Sequence, residues 1–273
     1  MNAMDHSRPA GDGAPGTMPA AGARRVAVVT GGARRLGRHL CLSLASRGFD
    51  IVCLYRSSED DARALERDVA ALGHGAPGAP AGGSLGARAR TLRVDVSAHA
   101  DVAAAFADIR AHEGRVDLLV NNVGNYNPQD VTRLDPSAWD ATIGANLSGA
   151  YYCCYHALPL LPQGGQIVSI GMAGLEGIRA NRRGADYYVS KTGLLVLTRA
   201  LAAGYADRNI RVNMISPGQL DNSVDLPAPE DIGRFVPLGR SGTLEDIAQA
   251  LHYLLDAGYV TSVNIDVAGG YRL

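Results

Sequence analysis

Excess charge of one sign is missing from this chain: 26 lysines and arginines stand against 27 aspartates and glutamates, a formal net charge of −1. Without a basic field there is nothing to gather phosphates along a nucleic acid, so no nucleic-acid partner is expected. Cysteine is scarce as well. Cys41, Cys53, Cys153 and Cys154 show no CxxC spacing, and three of them lie in apolar stretches where a thiol packs as a small hydrophobe. This argues against a disulfide scaffold or a metal site and favours a reduced, cytosolic setting. Long apolar runs are absent too. The longest nearly apolar stretch, residues 150–161, contains His156 and Pro159 and falls short of the roughly 20 residues a bilayer requires. Residues 1–23 are rich in Gly, Ala and Pro and lack the apolar stretch of about 7–15 residues that a secretion signal needs, so a disordered tail is expected there.

What is present is an alternation. Short β-type runs at 25–29, 50–55, 89–94, 116–120, 166–170, 210–215 and 263–267 are separated by amphipathic stretches at 36–47, 58–72, 99–112, 137–161, 187–205 and 243–256. Strands separated by helices are parallel, so the pattern predicts one α/β domain over residues 24–273. Its fold class is a doubly wound, Rossmann-type, seven-stranded parallel sheet with helices on both faces. Residues 73–86 (GHGAPGAPAGGSLG) carry too few apolar side chains to offset the entropy of ordering them and read as a flexible insert.

The first strand runs into TGGARRLGRHL, residues 30–40. A glycine turn between a strand and a helix presents backbone N–H groups and the positive helix end to a pyrophosphate. The second strand ends in Tyr55, Arg56, Ser57 and Ser58 with no acid at its end. A carboxylate there binds a ribose 2′-hydroxyl, whereas a 2′-phosphate wants cations, which Arg34 and Arg56 can supply through planar, bidentate donors. NADP(H) is therefore the expected cofactor.

A second constellation lies at residues 187–191, YYVSK. Tyr187 and Lys191 are four residues apart, so on a helix they share one face. A phenol of pKa about 10 is a poor acid near neutrality, and a neighbouring ammonium stabilises the phenolate it leaves behind.

Over nearly all of residues 24–273 the chain resembles the short-chain dehydrogenase/reductase family. The carriers are Thr30, Gly31 and Gly37 of its TGxxxGxG turn, Asp95 and Val96 after the third strand, NNVG at 121–124 after the fourth, Tyr187 and Lys191, and the Pro217–Gly218 turn. Arg35 replaces the middle glycine, a departure shared with the pteridine reductases, whose arginine lies near the cofactor phosphates and can reach substrate. The resemblance implies that Gly31, Arg34, Arg35, Leu36, Gly37, Tyr55, Arg56, Ser57, Asp95, Val96, Asn122, Gly124, Tyr187, Lys191, Pro217 and Gly218 bind the dinucleotide. It implies Tyr187 as proton donor, Lys191 as its tuner and ribose ligand, and Asn146 as support for a water-borne proton relay. Asp95 and Val96 would hold the adenine, and Pro217–Gly218 would cover the nicotinamide. Asn222 stands where the family has threonine and, with Ser223, can still hydrogen-bond a carboxamide.

The family's catalytic serine is replaced by Met172, whose thioether cannot donate a hydrogen bond. Pteridine reductases carry an aspartate there. Ser169 is the nearest hydroxyl upstream, but its odd spacing from Met172 points it to the opposite strand face. Asn181, Arg182 or Arg183 leaning into the pocket is the other candidate replacement.

The expected activity is transfer of hydride to a carbonyl or imine of a small molecule, in the manner of a pteridine reductase or a 3-oxoacyl reductase. The alternative is a non-catalytic NADP(H) sensor that has lost the oxyanion-stabilising serine. Arg179, Arg182 and Arg183 suit either an acyl-carrier partner or a small anionic substrate. By resemblance the protein is a homodimer or homotetramer, with Tyr151, Tyr152 and Tyr155 either in the subunit seam or in the core.

Overall fold

Near-continuous runs of apolar residues form the interior strands of the sheet, buried on both faces as a parallel sheet demands, while the two edge strands, ARTLR and NIDV, stay partly exposed. In the computed structural model, which describes residues 24–72, 86–177, 181–223 and 226–271, these strands are β1 (Arg25–Thr30), β2 (Phe49–Tyr55), β3 (Ala89–Arg93), β4 (Leu118–Asn121), β5 (Gln166–Ile170), β6 (Arg211–Pro217) and β7 (Asn264–Val267). The expected tail at 1–23 and all but the last residue of the expected insert at 73–86 lie outside the described residues.

All seven strands are parallel, in the order β3-β2-β1-β4-β5-β6-β7. After β3 the chain crosses back over the sheet to lay β4 against the far side of β1. That reversal opens a crevice at the carboxyl ends of β1 and β4, where doubly wound sheets take their ligands.

The helices divide between the two faces. Leu40 and Leu44 of α1 (Arg35–Ser46), Leu65 and Val69 of α2 (Glu59–Leu72), and Leu251 and Leu254 of α8 (Leu244–Asp256) pack with Val29, Ile51 and Val120. On the other face, Phe106 and Ile109 of α3 (His99–His112), Cys153 and Cys154 of α5 (Gly149–Ala157), and Ala202 of α6 (Ala185–Gly204) pack with Val28, Leu119 and Ile167. A short helix, α7 (Ile232–Phe235), follows β6. All four cysteines are buried as free thiols, and burial holds Cys153 and Cys154 well above the usual thiol range.

The single helix expected at 137–161 is instead α4 (Pro136–Ile143), a π-helical turn (Gly144–Ser148) and α5 in succession. A π turn carries one extra residue in the ladder and re-aims the side chains it contains. Here it contains Asn146, whose amide is committed to partners outside the helix. The helix stops at Ala157 because Pro159 cannot continue it. Helix α6 begins two residues earlier than expected, entering through Gly184 at φ 77. Thr243, expected inside the last helix, is its N-cap: its hydroxyl accepts from Asp246 N and its own N–H donates to the Asp246 carboxylate.

Candidate active site

The crevice at the β1/β4 reversal is a cavity of about 770 Å³, and every residue named from the sequence as a dinucleotide ligand lines it: Gly31, Arg34, Arg35, Leu36, Gly37, Tyr55, Arg56, Ser57, Asp95, Val96, Asn122, Gly124, Tyr187, Lys191, Pro217 and Gly218. The first turn is shaped by contacts only small residues permit. A Cβ on Gly37 would lie 2.2 Å from Gly31 O and 2.6 Å from Asn122 Nδ2. Gly31 sits at φ 63 and donates its N–H to Leu54 O at 2.7 Å. Thr30 Oγ1 accepts from the N–H groups of Asn122 and Val123 at 2.9 and 3.2 Å, and Asn122 Nδ2 returns a bond to Thr30 O at 3.0 Å, stitching the ends of β1 and β4 together. This cradle, ending at the amino terminus of α1, fits the phosphates of a dinucleotide.

Arg35 adopts φ 49, a left-handed backbone that typically costs a non-glycine residue about 1–2 kcal/mol. Its guanidinium donates to the carbonyl of Asn222 on the far rim. Arg34 pairs with Asp61 of α2, and Arg56 lies 4.0 Å from Asp95. Each arginine thus has a carboxylate nearby. Arg34 and Arg56 are 65% and 73% exposed, and such surface pairs are worth about 0–1 kcal/mol, so a phosphate dianion can take over the guanidinium groups. Asp95 is held below the usual carboxylate range, first by the Ser97 hydroxyl, then by the Ser97 N–H and Arg56.

At the other end, Lys191 is 2% exposed and donates from Nζ to Ile170 O at 2.7 Å. Burial lowers its pKa to about 8. Nζ lies 5.8 Å from the centre of the Tyr187 ring, with Gly124 beside it. Asn146 does not line the cavity. It sits behind it, accepting from Asn125 N at 2.6 Å and donating to Asn125 O at 3.0 Å and Ser190 Oγ at 3.1 Å; Ser190 Oγ in turn donates to Tyr187 O at 2.8 Å. A buried ammonium beside a phenol is an arrangement able to ease proton release from that phenol.

Met172 does not line the cavity, although Tyr187 packs against the cluster that contains it. It is buried with Leu175, Leu194, Leu195 and Met214 in the packing under α6. The backbone N–H groups around it are also engaged: Gly171 with Ile215 O, Ala173 with Pro217 O, and Gly174 with the Asp266 carboxylate. Ser169 is buried within β5 and does not line the cavity. The expectation that Asn181, Arg182 or Arg183 leans into the pocket is corrected. Asn181 donates to the Tyr188 hydroxyl and accepts from Arg183 N, Arg182 pairs with Asp130, and the Arg183 backbone forms an antiparallel β-bridge with Asp130; none lines the cavity. Arg179 lies outside the described residues.

Sequence reasoning missed other lining residues, among them Asn125, Ala141, Ala145, Ile170 and Gly171. Ala141 and Ala145, four apart on α4 and the π turn, are the one pattern that could have signalled a face kept small for a ligand. Tyr126, whose ring packs edge-on at 4.8 Å from that of Tyr187, was also unforeseen.

Asn222 and Ser223 line the cavity as expected from their place after Pro217–Gly218. Of the tyrosines assigned to seam or core, Tyr151 and Tyr155 are 47% and 57% exposed, while Tyr152 packs partly against the core. Among the described residues no group of three or more His, Cys, Asp or Glu side chains converges to hold a metal, and no helix is long and apolar enough to cross a membrane.

A family model described as enoyl-(acyl carrier protein) reductase matches residues 31–272. The chain is similar to carbonyl reductase family member 4 of Danio rerio, 35% identical over 251 residues that cover 91% of this chain and 98% of that protein. It is 34% identical to the 3-oxoacyl-(acyl-carrier-protein) reductase FabG of Aggregatibacter actinomycetemcomitans over 89% of this chain and 97% of that one. Among solved structures, a blue fluorescent protein from a metagenomic library, in complex with NADPH, superposes with a TM-score of 0.81 at 30% identity, covering 91% of this chain and 98% of its own. A short-chain dehydrogenase from Burkholderia cenocepacia J2315, in complex with NADP, gives 0.80 at 26% identity over 91% and 97%. With a glycine cradle, a Tyr–Lys pair and this likeness across the described chain, the protein belongs to the short-chain dehydrogenase/reductase family of oxidoreductases.

Proposed function

We propose that the protein is an NADP(H)-dependent reductase acting on a carbonyl or imine of a small molecule, in the manner of a 3-oxoacyl reductase or a pteridine reductase. The observation that carries this reading is that the buried Lys191 ammonium, Tyr187, the glycine cradle and the Arg34 and Arg56 guanidinium groups all face one cavity. In support, similar proteins are a carbonyl reductase and a 3-oxoacyl reductase, and two similar structures hold NADPH or NADP.

In this reading Gly31, Arg35, Leu36 and Gly37 hold the phosphates, and Arg34, Tyr55, Arg56 and Ser57 surround the adenosine 2′-phosphate. Asp95 and Val96 flank the adenine, Asn122 and Gly124 the nicotinamide ribose, and Pro217, Gly218, Asn222 and Ser223 the nicotinamide. NADPH supplies hydride when bound. Tyr187 donates the proton to the reduced oxygen or nitrogen, Lys191 stabilises the phenolate left behind, and Asn146 holds the backbone of Asn125 where protons return from solvent.

Losing one oxyanion donor typically costs about 10²–10³ in rate, so the engaged backbone around Met172 leaves Tyr187 to carry most of the stabilisation. That same observation favours the second reading, a non-catalytic NADP(H) sensor. NADPH oxidation measured with dihydropteridines, cyclic imines and β-ketoacyl thioesters separates the two: turnover of any one, abolished in Tyr187→Phe, supports the reductase. Tight NADPH binding without turnover supports the sensor.

The exposed Tyr151 and Tyr155 on α5 and Val196, 63% exposed on α6, suit burial against a second copy in a cytosolic homodimer or homotetramer. A monomer in sedimentation removes that assembly.

A further inference from the structure

Two departures from the family pattern, Arg35 in place of glycine and Asn222 in place of threonine, are 187 positions apart in the chain and meet in space, the Arg35 guanidinium donating to the Asn222 carbonyl across the cavity. The backbone at Arg35 is left-handed, φ 49, where glycine would rest without penalty. A cost kept at a ligand-facing turn is a sign that the side chain is used there.

The segment that Arg35 grips is anchored on its other side: Gln219 O accepts from Gly242 N at 2.8 Å, Gln219 Nε2 donates to the Tyr271 hydroxyl at 3.3 Å, and Leu220 is buried and bridges to Gly242, so Arg35 is its tie to the phosphate turn. Asp221 N–H donates to Gly242 O at 2.9 Å, and Leu220 and Ser223 close a turn on each other at 2.9 and 3.0 Å, but these bonds shape the segment internally or tie it to the α8 side, not to the phosphate turn. Asn222 and Ser223 border the cavity next to Pro217 and Gly218.

We propose that Arg35 is a positioning residue: a strap that holds the 219–223 segment over the cavity, and through it couples occupancy of the phosphate turn to closure of the substrate rim. A guanidinium has five N–H donors in a fixed plane, so it can serve a phosphate oxygen on one edge and the Asn222 carbonyl on the other at once. The strap itself is a property of the free chain. Its coupling to a dinucleotide rests on the function proposed above.

The test is hydrogen exchange at amides 219–223 in the protein without ligand, comparing wild type with Arg35→Gly, Arg35→Met and Arg35→Lys. Glycine removes donor and strain together, methionine removes the donor alone, and lysine returns a single-point donor. Exchange about tenfold faster in the Gly and Met variants, with partial rescue by Lys, is the expected result. Arg35→Gly should melt at or above the wild-type temperature, which shows that faster exchange is not global unfolding.

Unchanged exchange in both Gly and Met variants overturns the strap. On adding NADPH, wild-type exchange at 219–223 should slow further, and the Arg35→Met variant should show less than half of that slowing even when saturated. Equal slowing overturns the coupling. If wild type does not bind NADPH at all, it is the dinucleotide reading that falls, and the ligand-free comparison still decides the strap.

Discussion

At the β1–α1 turn each residue type is dictated by what surrounds it: Gly37 by a carbonyl 2.2 Å from where its Cβ would stand, Thr30 by two N–H groups, Asn122 by the turn carbonyls. The rim facing it, with Asn125, Asn222 and Ser223, is exposed or partly exposed; Arg35 of the turn reaches the Asn222 carbonyl, and behind the rim Arg182–Asp130 joins loops that do not line the cavity. One end of the cavity is specified by close backbone packing, the other by which surface groups find each other. Substitutions at the packed end should therefore cost stability along with binding, and substitutions at the reacting end should cost rate alone.

The largest effect is expected where rate is lost without stability. Tyr187→Phe should lower kcat/KM by about 10²–10⁴ while leaving NADPH affinity and the melting temperature nearly unchanged. Steady-state kinetics beside a thermal melt checks this, and a matching loss of stability would break the division.

Lys191 belongs to both ends. Its pKa falls from 10.5 to about 8 through burial, so between those pH values the unfolded chain holds a proton the folded chain has released, and its contribution to stability rises with pH across that window. The shift corresponds to a rise of about 3 kcal/mol. Denaturation of wild type and Lys191→Met from pH 7 to 11 should show the difference between them shift by about that amount in favour of wild type from pH 8 to 10.5, since the buried thiols lower the stability of both alike above pH about 9, with wild-type kcat/KM falling above pH about 8 as the ammonium is lost.

Gly37→Ala tests the packed end. The added methyl overlaps backbone on one side and Asn122 on the other, and overpacking of this kind costs typically about 1–3 kcal/mol. A lower melting temperature together with weaker NADPH binding is expected in calorimetry; a loss of binding with unchanged stability would show that the turn is less constrained than its contacts imply.

The smallest effect is expected from Asp61→Asn. Its pair with Arg34 is exposed, so releasing the guanidinium should change the ratio of NADPH to NADH affinity by no more than about fivefold. Titration with both dinucleotides measures it.

Much of this site was legible before any coordinates. Gly31, Gly37, Tyr187 and Lys191 answer to local geometry, a turn or a helix face, and local geometry leaves a spacing in the chain. The π turn at 144–148 left none, because it is set by Asn146 reaching Asn125 and Ser190. The burial of Met172, the engagement of Asn181 and Arg182 with neighbours, and the Arg34–Asp61 pair were equally invisible, since each depends on where a side chain finds space or charge after the elements have packed.

Alternating apolar runs and helical stretches were enough by themselves to determine the order of elements, the parallel sheet and the end of it that takes a ligand, because periodicity and chain connectivity act over a few residues at a time. Which side chains point into the cavity and which are spent on each other was decided only in the folded molecule. Contacts between residues as far apart as Arg35 and Asn222 carry no local signature, and their geometry exists only once the sheet has brought the two loops face to face.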